Sequence, residues 1–278
     1  MFTTLISAAE LARHLGDPAW VAFDCRHDLS DPDAEMYAYA AAHVPGARHL
    51  HLDRDLSGTR TGSNGRHPLP SREAFAAVLR AQGVSNESQV VAYDAQAGIF
   101  ASRLWWMLRW IGHQAVAVLD GGMNQWRRDL LPLTQEVPAP APGNIEARAG
   151  VTAVDVPFIE SRLGAGGWRL IDARKPDRFR GENETLDPVG GHIPGSVNRY
   201  FKVNLDAAGR FKPAPQLRAE FLAVLGDTSA GDSVQVCGSG VTACQNMLAM
   251  EIAGLSGSRL YPGSWSEWCA DPGRPIAR

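Results

Sequence analysis

This chain is written twice. Val21-Ala22-Phe23-Asp24-Cys25-Arg26 returns as Arg169-Leu170-Ile171-Asp172-Ala173-Arg174, a short apolar run that ends in Asp-x-Arg both times. His43-Val44-Pro45-Gly46 returns as His192-Ile193-Pro194-Gly195, and Ala74–Leu79 returns as Glu220–Leu225 with apolar residues at helical spacing. Gly121 and Trp126 recur as Gly263 and Trp268, both 142 residues later. Ser7-Ala8-Ala9-Glu10 and Thr152-Ala153-Val154-Asp155 both read as helix starts. Each copy alternates short strands with helices, which predicts an α/β fold: a parallel sheet joined by helical crossovers, with helices on both faces. Between the copies, Val137-Pro138-Ala139-Pro140-Ala141-Pro142 places proline at every second residue, the pattern of an extended, semi-rigid linker. The predicted domains are therefore 1–137 and 150–278, joined by residues 138–149.

The second copy carries a feature that the first lacks. Val234-Gln235-Val236 is a strand that stops at Cys237, Gly238-Ser239-Gly240 forms a tight loop, and a helical stretch opens near Thr242. The sulfur then faces a helix N-terminus, whose unpaired N–H groups favour a negative charge and would hold it as a thiolate. Gly238 and Gly240 allow the backbone to curl round it. At the matching place the first copy has Asp94, followed by Ala95-Gln96-Ala97-Gly98. The unit thus folds without that cysteine, which argues that Cys237 is there for chemistry.

Cys-Gly-Ser-Gly-Val-Thr-Ala-Cys resembles the active-site loop of the rhodanese superfamily, in the form found in 3-mercaptopyruvate sulfurtransferases. The resemblance extends over essentially the whole chain and implies two tandem rhodanese-like domains. Of these, the first is inactive: it covers the active site and lends side chains to it. It implies that Cys237 takes the outer sulfur of a donor as a persulfide and passes it on, with Gly238, Gly240, Val241 and Thr242 lining the cradle. It assigns Arg178, in Asp177-Arg178-Phe179-Arg180, to the donor's anionic group, and Arg180 could share that task. It joins Ser239 to a histidine and an aspartate of the first domain. The best matches are His67, in Gly65-Arg66-His67-Pro68, and Asp53, with Asp55 as a competitor for the same role. Such a set would supply a proton to the leaving enolate. A second substrate arginine is expected near 184–187, where this chain has Glu184 and Asp187 instead.

The remaining signals read as structure. His43 and His192 recur in both copies, so they belong to a turn. Cys25, Cys244 and Cys269 read as buried thiols, and Trp105, Trp106 and Trp110 as core. The four cysteines have no metal-ligand spacing, and no GxxxxGK loop is present, so neither a metal nor an organic cofactor is expected. A net charge of -3 points away from nucleic acid. With no apolar run near 20 residues and no signal-peptide pattern, a cytoplasmic protein without a membrane partner is expected. The partners implied are a small sulfur donor, a thiol or cyanide acceptor, and thioredoxin as a protein acceptor. Two rival readings are weaker. A phosphatase of this fold would close the loop with an arginine, yet no Arg or Lys follows Cys237 until Arg259. A non-catalytic module would have no use for Cys237. The uncharged loop favours the monoanion 3-mercaptopyruvate over dianionic thiosulfate, the alternative donor.

Overall fold

A computed structural model describes all 278 residues. The chain forms two compact units. One comprises residues 1–58, 70–150 and 207–210; the other comprises 59–69, 151–206 and 211–278. The segment 59–69, read as part of the first copy, therefore clusters with the second unit.

The first unit contains β1 (Leu5–Ile6), α1 (Ala8–Arg13), β2 (Trp20–Asp24), α2 (Ala34–Ala41), β3 (Arg48–His49), α3 (Arg72–Ala81), β4 (Gln89–Tyr93), α4 (Ile99–Trp110), β5 (Val116–Leu119) and α5 (Gly122–Arg128). Its five strands are all parallel, in the order β1-β5-β4-β2-β3. Every residue of β4 and β5 is buried, as expected of strands covered on both sides. Alternation divides them. Ala22, Val91, Tyr93, Ala117 and Leu119 pack with residues of α1 and α5, including Leu11, Met123 and Trp126. Val90, Ala92, Val116 and Val118 are buried from the opposite face, and α4 packs on β4 and β5. Ser7 caps α1 by accepting from Glu10 N–H, as its sequence predicts.

The second unit contains α6 (Val156–Glu160), β6 (Arg169–Asp172), α7 (Pro176–Phe179), β7 (Val197–Asn198), α8 (Ala214–Leu225), β8 (Ser233–Val236), α9 (Thr242–Ile252), β9 (Arg259–Leu260) and α10 (Ser264–Trp268). Its strands run parallel in the order β7-β6-β8-β9. Ala153 adds a parallel bridge to Leu260 at the place that β1 takes in the first unit. Leu170, Val234 and Val236 pack with Ile159, Trp265 and Trp268, while α9 lies on β8 and against α8.

The recurring motifs are fold chemistry. In each unit the Asp-x-Arg pair closes a buried salt bridge, Arg26 on Asp24 (2.6 Å) and Arg174 on Asp172 (2.7 Å). His43 stacks on Tyr39 and His192 on Phe179, with His43 Nδ1 at Tyr39 O and His192 Nδ1 at Phe179 O. Residues 138–149 have no regular secondary structure and are bound along the first unit: Gly143 N–H donates to Arg80 O, Ile145 N–H to Val84 O, and Arg148 N–H to Ile111 O. A Cβ on Gly143 would run into the Val84 carbonyl, so glycine is what lets this strap lie so close. No helix is long and apolar enough to cross a membrane.

Candidate active site

Cys237 stands at the carboxyl end of β8, and α9 opens five residues later at Thr242. Strand and helix cannot be joined so tightly without an unusual backbone. Gly240 supplies it with φ +74°, and a Cβ there would strike the Pro262 carbonyl. The loop is tied to the start of α10. Ser264 Oγ accepts from Cys237 N–H at 3.1 Å, Trp265 N–H donates to Cys237 O at 3.0 Å, and Ser266 N–H donates to Gly238 O at 2.9 Å. Ser264 holds this position at φ +54°, a left-handed conformation rare for a residue with a side chain. Cys244, in the first turn of α9, donates its thiol to Gly240 O at 3.3 Å and is fully buried. It braces the loop, in keeping with the small buried residue expected there.

The first unit shows what a loop of this length encloses. Asp94 ends β4 as Cys237 ends β8, and α4 also opens five residues later. The buried Asp94 carboxylate accepts four backbone N–H groups: Oδ1 from Gln96 and Gly98, both at 2.9 Å, and Oδ2 from Phe100 at 2.9 Å and Ala101 at 3.0 Å. Burial raises its pKa, and those four donors oppose the rise. Its carbonyl accepts from Met123 N–H at 2.8 Å, the counterpart of the Trp265 bond to Cys237. Ala97 takes the left-handed conformation at φ +66°, at the place of Gly240. This strand-loop-helix joint is therefore an anion nest, filled in one unit by the chain's own carboxylate.

The other predicted residues are placed as follows. Ser239 and His67 are both buried, and Ser239 Oγ lies 2.7 Å from His67 Nδ1. Arg178, on α7, makes a forked ion pair with Glu184 (2.8 to 3.1 Å) and reaches Asp187 Oδ2 at 3.4 Å. It also overlooks the loop: a Cβ added to Gly238 would lie 3.6 Å from its Nη2. Arg180 is elsewhere. It is exposed and paired with Glu182, so the expected sharing of the anion site is corrected. Asp53 lies in the first unit with His27 and His51, its Oδ2 3.8 Å from His27 Nε2. Asp55 is committed to its own turn, accepting from His51 N–H at 2.7 Å.

His27, His51 and Asp53 present ligand atoms within 4.8 Å of one another. The set does not fit a metal ion. His51 Nδ1 accepts from Asp53 N–H at 3.1 Å and its Nε2 donates to Pro32 O at 3.0 Å, so both ring nitrogens are engaged.

One residue of the site was missed. Arg66 pairs with Asp187 Oδ1 through Nη1, and its Nη2 would lie 2.8 Å from a Gly238 Cβ. Its only sequence signal was adjacency to His67.

The rhodanese-like domain model matches residues 7–129 and 157–271. A Pseudomonas aeruginosa protein described as a probable 3-mercaptopyruvate sulfurtransferase is 44% identical over 276 residues, which cover 98% of this chain and 97% of that protein. The thiosulfate sulfurtransferase of Bos taurus is 33% identical over 280 residues, 93% of this chain and 92% of that one. The crystal structure of SseA from Escherichia coli, presented as a 3-mercaptopyruvate sulfotransferase, superposes with a TM-score of 0.82 at 31% identity, covering 95% of this chain and 99% of SseA. A doubled α/β unit with a buried cysteine on the strand-to-helix loop of its second copy defines the class. The chain belongs to the rhodanese family, with both of its copies matched.

Proposed function

We propose that this protein is a sulfurtransferase that takes sulfur from 3-mercaptopyruvate onto Cys237 and delivers it to cyanide, a small thiol or thioredoxin. The observation that carries the donor choice is the Ser239–His67 contact of 2.7 Å beside a cysteine loop with no charged side chain. Thiosulfate leaves as sulfite and needs no proton. Mercaptopyruvate leaves as an enolate and does.

The step balances within the site. The Cys237 thiolate attacks the donor sulfur, the carbon–sulfur bond breaks, and its electron pair passes to the carbon beside the ketone. The proton of the donor thiol ends on that carbon, giving pyruvate and an anionic persulfide. Ser239 and His67 would relay it. The N–H groups of the loop stabilise thiolate and persulfide alike, as the Asp94 loop stabilises a carboxylate. An acceptor nucleophile then removes the outer sulfur and restores the thiolate.

The local charge supports a monoanion. Arg66, Arg174 and Arg178 are paired with Asp172, Glu184 and Asp187, so no unmatched cation stands by the loop to favour a dianionic donor over a monoanionic one. Cyanide-dependent transfer measured with both donors tests the assignment. A preference for 3-mercaptopyruvate of about a hundredfold in kcat/KM, equal to about 2.7 kcal/mol, is expected. A preference for thiosulfate would overturn the donor assignment while leaving Cys237 in place.

A further inference from the structure

We infer that the second unit carries an anion site away from its cysteine loop: a cavity at the amino edge of its sheet, in which Arg162 and Arg259 hold a doubly charged oxyanion of the phosphate kind. The inference stands apart from the donor reading above.

The cavity measures about 350 Å³. Trp168 precedes β6, Asp232 precedes β8 and Arg259 opens β9, so it lies at the amino ends of parallel strands. Cys237 follows the opposite end of β8. Arg162 and Arg259 share one aromatic ring, with their Cζ atoms 3.9 and 5.3 Å from the centre of Phe158. Neither guanidinium is in an ion pair. The ring attracts each cation and leaves its N–H donors available. Two like charges gathered on one half-buried ring also repel each other, and an anion between them would reverse that. The acidic side chain that lines the cavity, Asp232, is exposed and turned to its own turn, where Ser229 Oγ donates to it at 2.7 Å.

The first unit supplies the control. Leu15, Gly16 and Trp20 recur as Leu163, Gly164 and Trp168, at the offset of 148 that also relates Val21 to Arg169. The corresponding cavity of the first unit is smaller, about 210 Å³, and has His14 where the second has Arg162. Two carboxylates flank that histidine: Glu10 lies 3.3 Å from its Nε2 and Asp17 lies 4.0 Å from its Nδ1. At the same offset, Glu10 becomes Phe158 and Asp17 becomes Ala165. Pro18 and Ala19 become Gly166 and Gly167, where an added Cβ would meet nothing within 4 Å. Ala117 becomes Arg259, at the offset of 142 that relates Gly121 to Gly263. The second copy has thus lost both carboxylates, gained two arginines and cleared one wall. The counter-ion that the first copy builds in is left to a ligand. Two forked guanidiniums suit the oxygens of a phosphate group, and the cavity has room for more than the bare ion, so a phosphate ester fits as well.

Calorimetric titration of the full chain tests this, with inorganic phosphate and phenyl phosphate as probes at pH 8, where both are dianions. Saturable binding is expected, and Arg162→Gln and Arg259→Gln should each weaken it roughly 10-fold or more, the range for a lost hydrogen bond to a charged group. The double variant Phe158→Glu, Ala165→Asp restores the carboxylates of the first copy. It should abolish binding, and it carries the comparison should an arginine variant fail to fold. Tighter binding of phenyl phosphate would assign the site to esters and equal binding to the free ion; either upholds it. No binding of either probe, or undiminished affinity in the folded variants, would overturn it.

Discussion

The Asp94 loop and the Cys237 loop are the same joint put to two uses. Both lie between a buried parallel strand and a helix that opens five residues on, and both accept a backbone N–H from a later helix, Met123 of α5 or Trp265 of α10. In the first unit the nest is closed by its own carboxylate and four N–H bonds. In the second, a single thiol takes the carboxylate's place, and a sulfur can gain and lose a second sulfur where a carboxylate cannot. The proposed function rests on an anion site left incompletely filled. The surroundings differ to match: Ser239 faces His67, and Arg66 and Arg178 stand over Gly238.

Substitutions that make the loops more alike, or that empty one, would sharpen or break this comparison. The largest effect is expected from Cys237→Asp, which writes the first loop into the second. It should fold, keep its cooperative unfolding, and transfer no sulfur; failure to fold would show that the two nests are not equivalent. Next, Asp94→Ala leaves four backbone donors without their acceptor, those of Phe100 and Ala101 buried and those of Gln96 and Gly98 half-buried. At about 1 kcal/mol or more for each unsatisfied group, urea unfolding should show a loss of roughly 3–5 kcal/mol. A loss below about 1 kcal/mol would mean that the nest needs no anion. His67→Ala should lower kcat with 3-mercaptopyruvate roughly a hundredfold and leave the thiosulfate rate nearly unchanged, because only the first donor needs a proton. Equal loss with both donors would remove the relay from the account.

Thiol labelling of native protein at pH 8 compares the nest with ordinary burial. Burial and nearby carboxylates raise the Cys25 thiol, and burial pushes Cys269 up to about 11. An acid whose pKa is raised stays protonated below it, so neither is a nucleophile at pH 8. Cys244 is fully buried, so the Cys237→Ala protein should resist the reagent until it is denatured, and rapid labelling would contradict that. The smallest effect belongs to Arg180→Ala. With Arg180 out in solvent on Glu182, kcat/KM should change by less than about twofold.

Much of this was legible in the sequence, for identifiable reasons. The duplication exposed the fold because each strand and helix left its own period, and the same Asp-x-Arg and His-x-Pro-Gly signals closed each unit. Cys237 stood out because Asp94 replaced it in the other copy. That comparison did not reveal that Asp94 satisfies its own loop, since a hydrogen-bond count needs coordinates. Arg66 was missed for a similar reason. The search for a further arginine followed local spacing to 184–187, whereas Arg66, which pairs with Asp187, comes from a segment more than a hundred residues earlier that clusters with the second unit. Local periodicity carries no record of such a crossing. Ser264 was silent too, because nothing in its identity signals a left-handed backbone.

The central claim is that Cys237 accepts a sulfur atom from 3-mercaptopyruvate inside an anion nest. The most direct test is a single turnover: mix protein with the donor, withhold any acceptor, and record intact mass and released pyruvate together. The account predicts that each wild-type chain gains one sulfur atom and releases one pyruvate, that cyanide removes the added sulfur, and that Cys237→Ala does neither. Pyruvate released without a gain in mass, or the same gain in the Cys237→Ala protein, would contradict it.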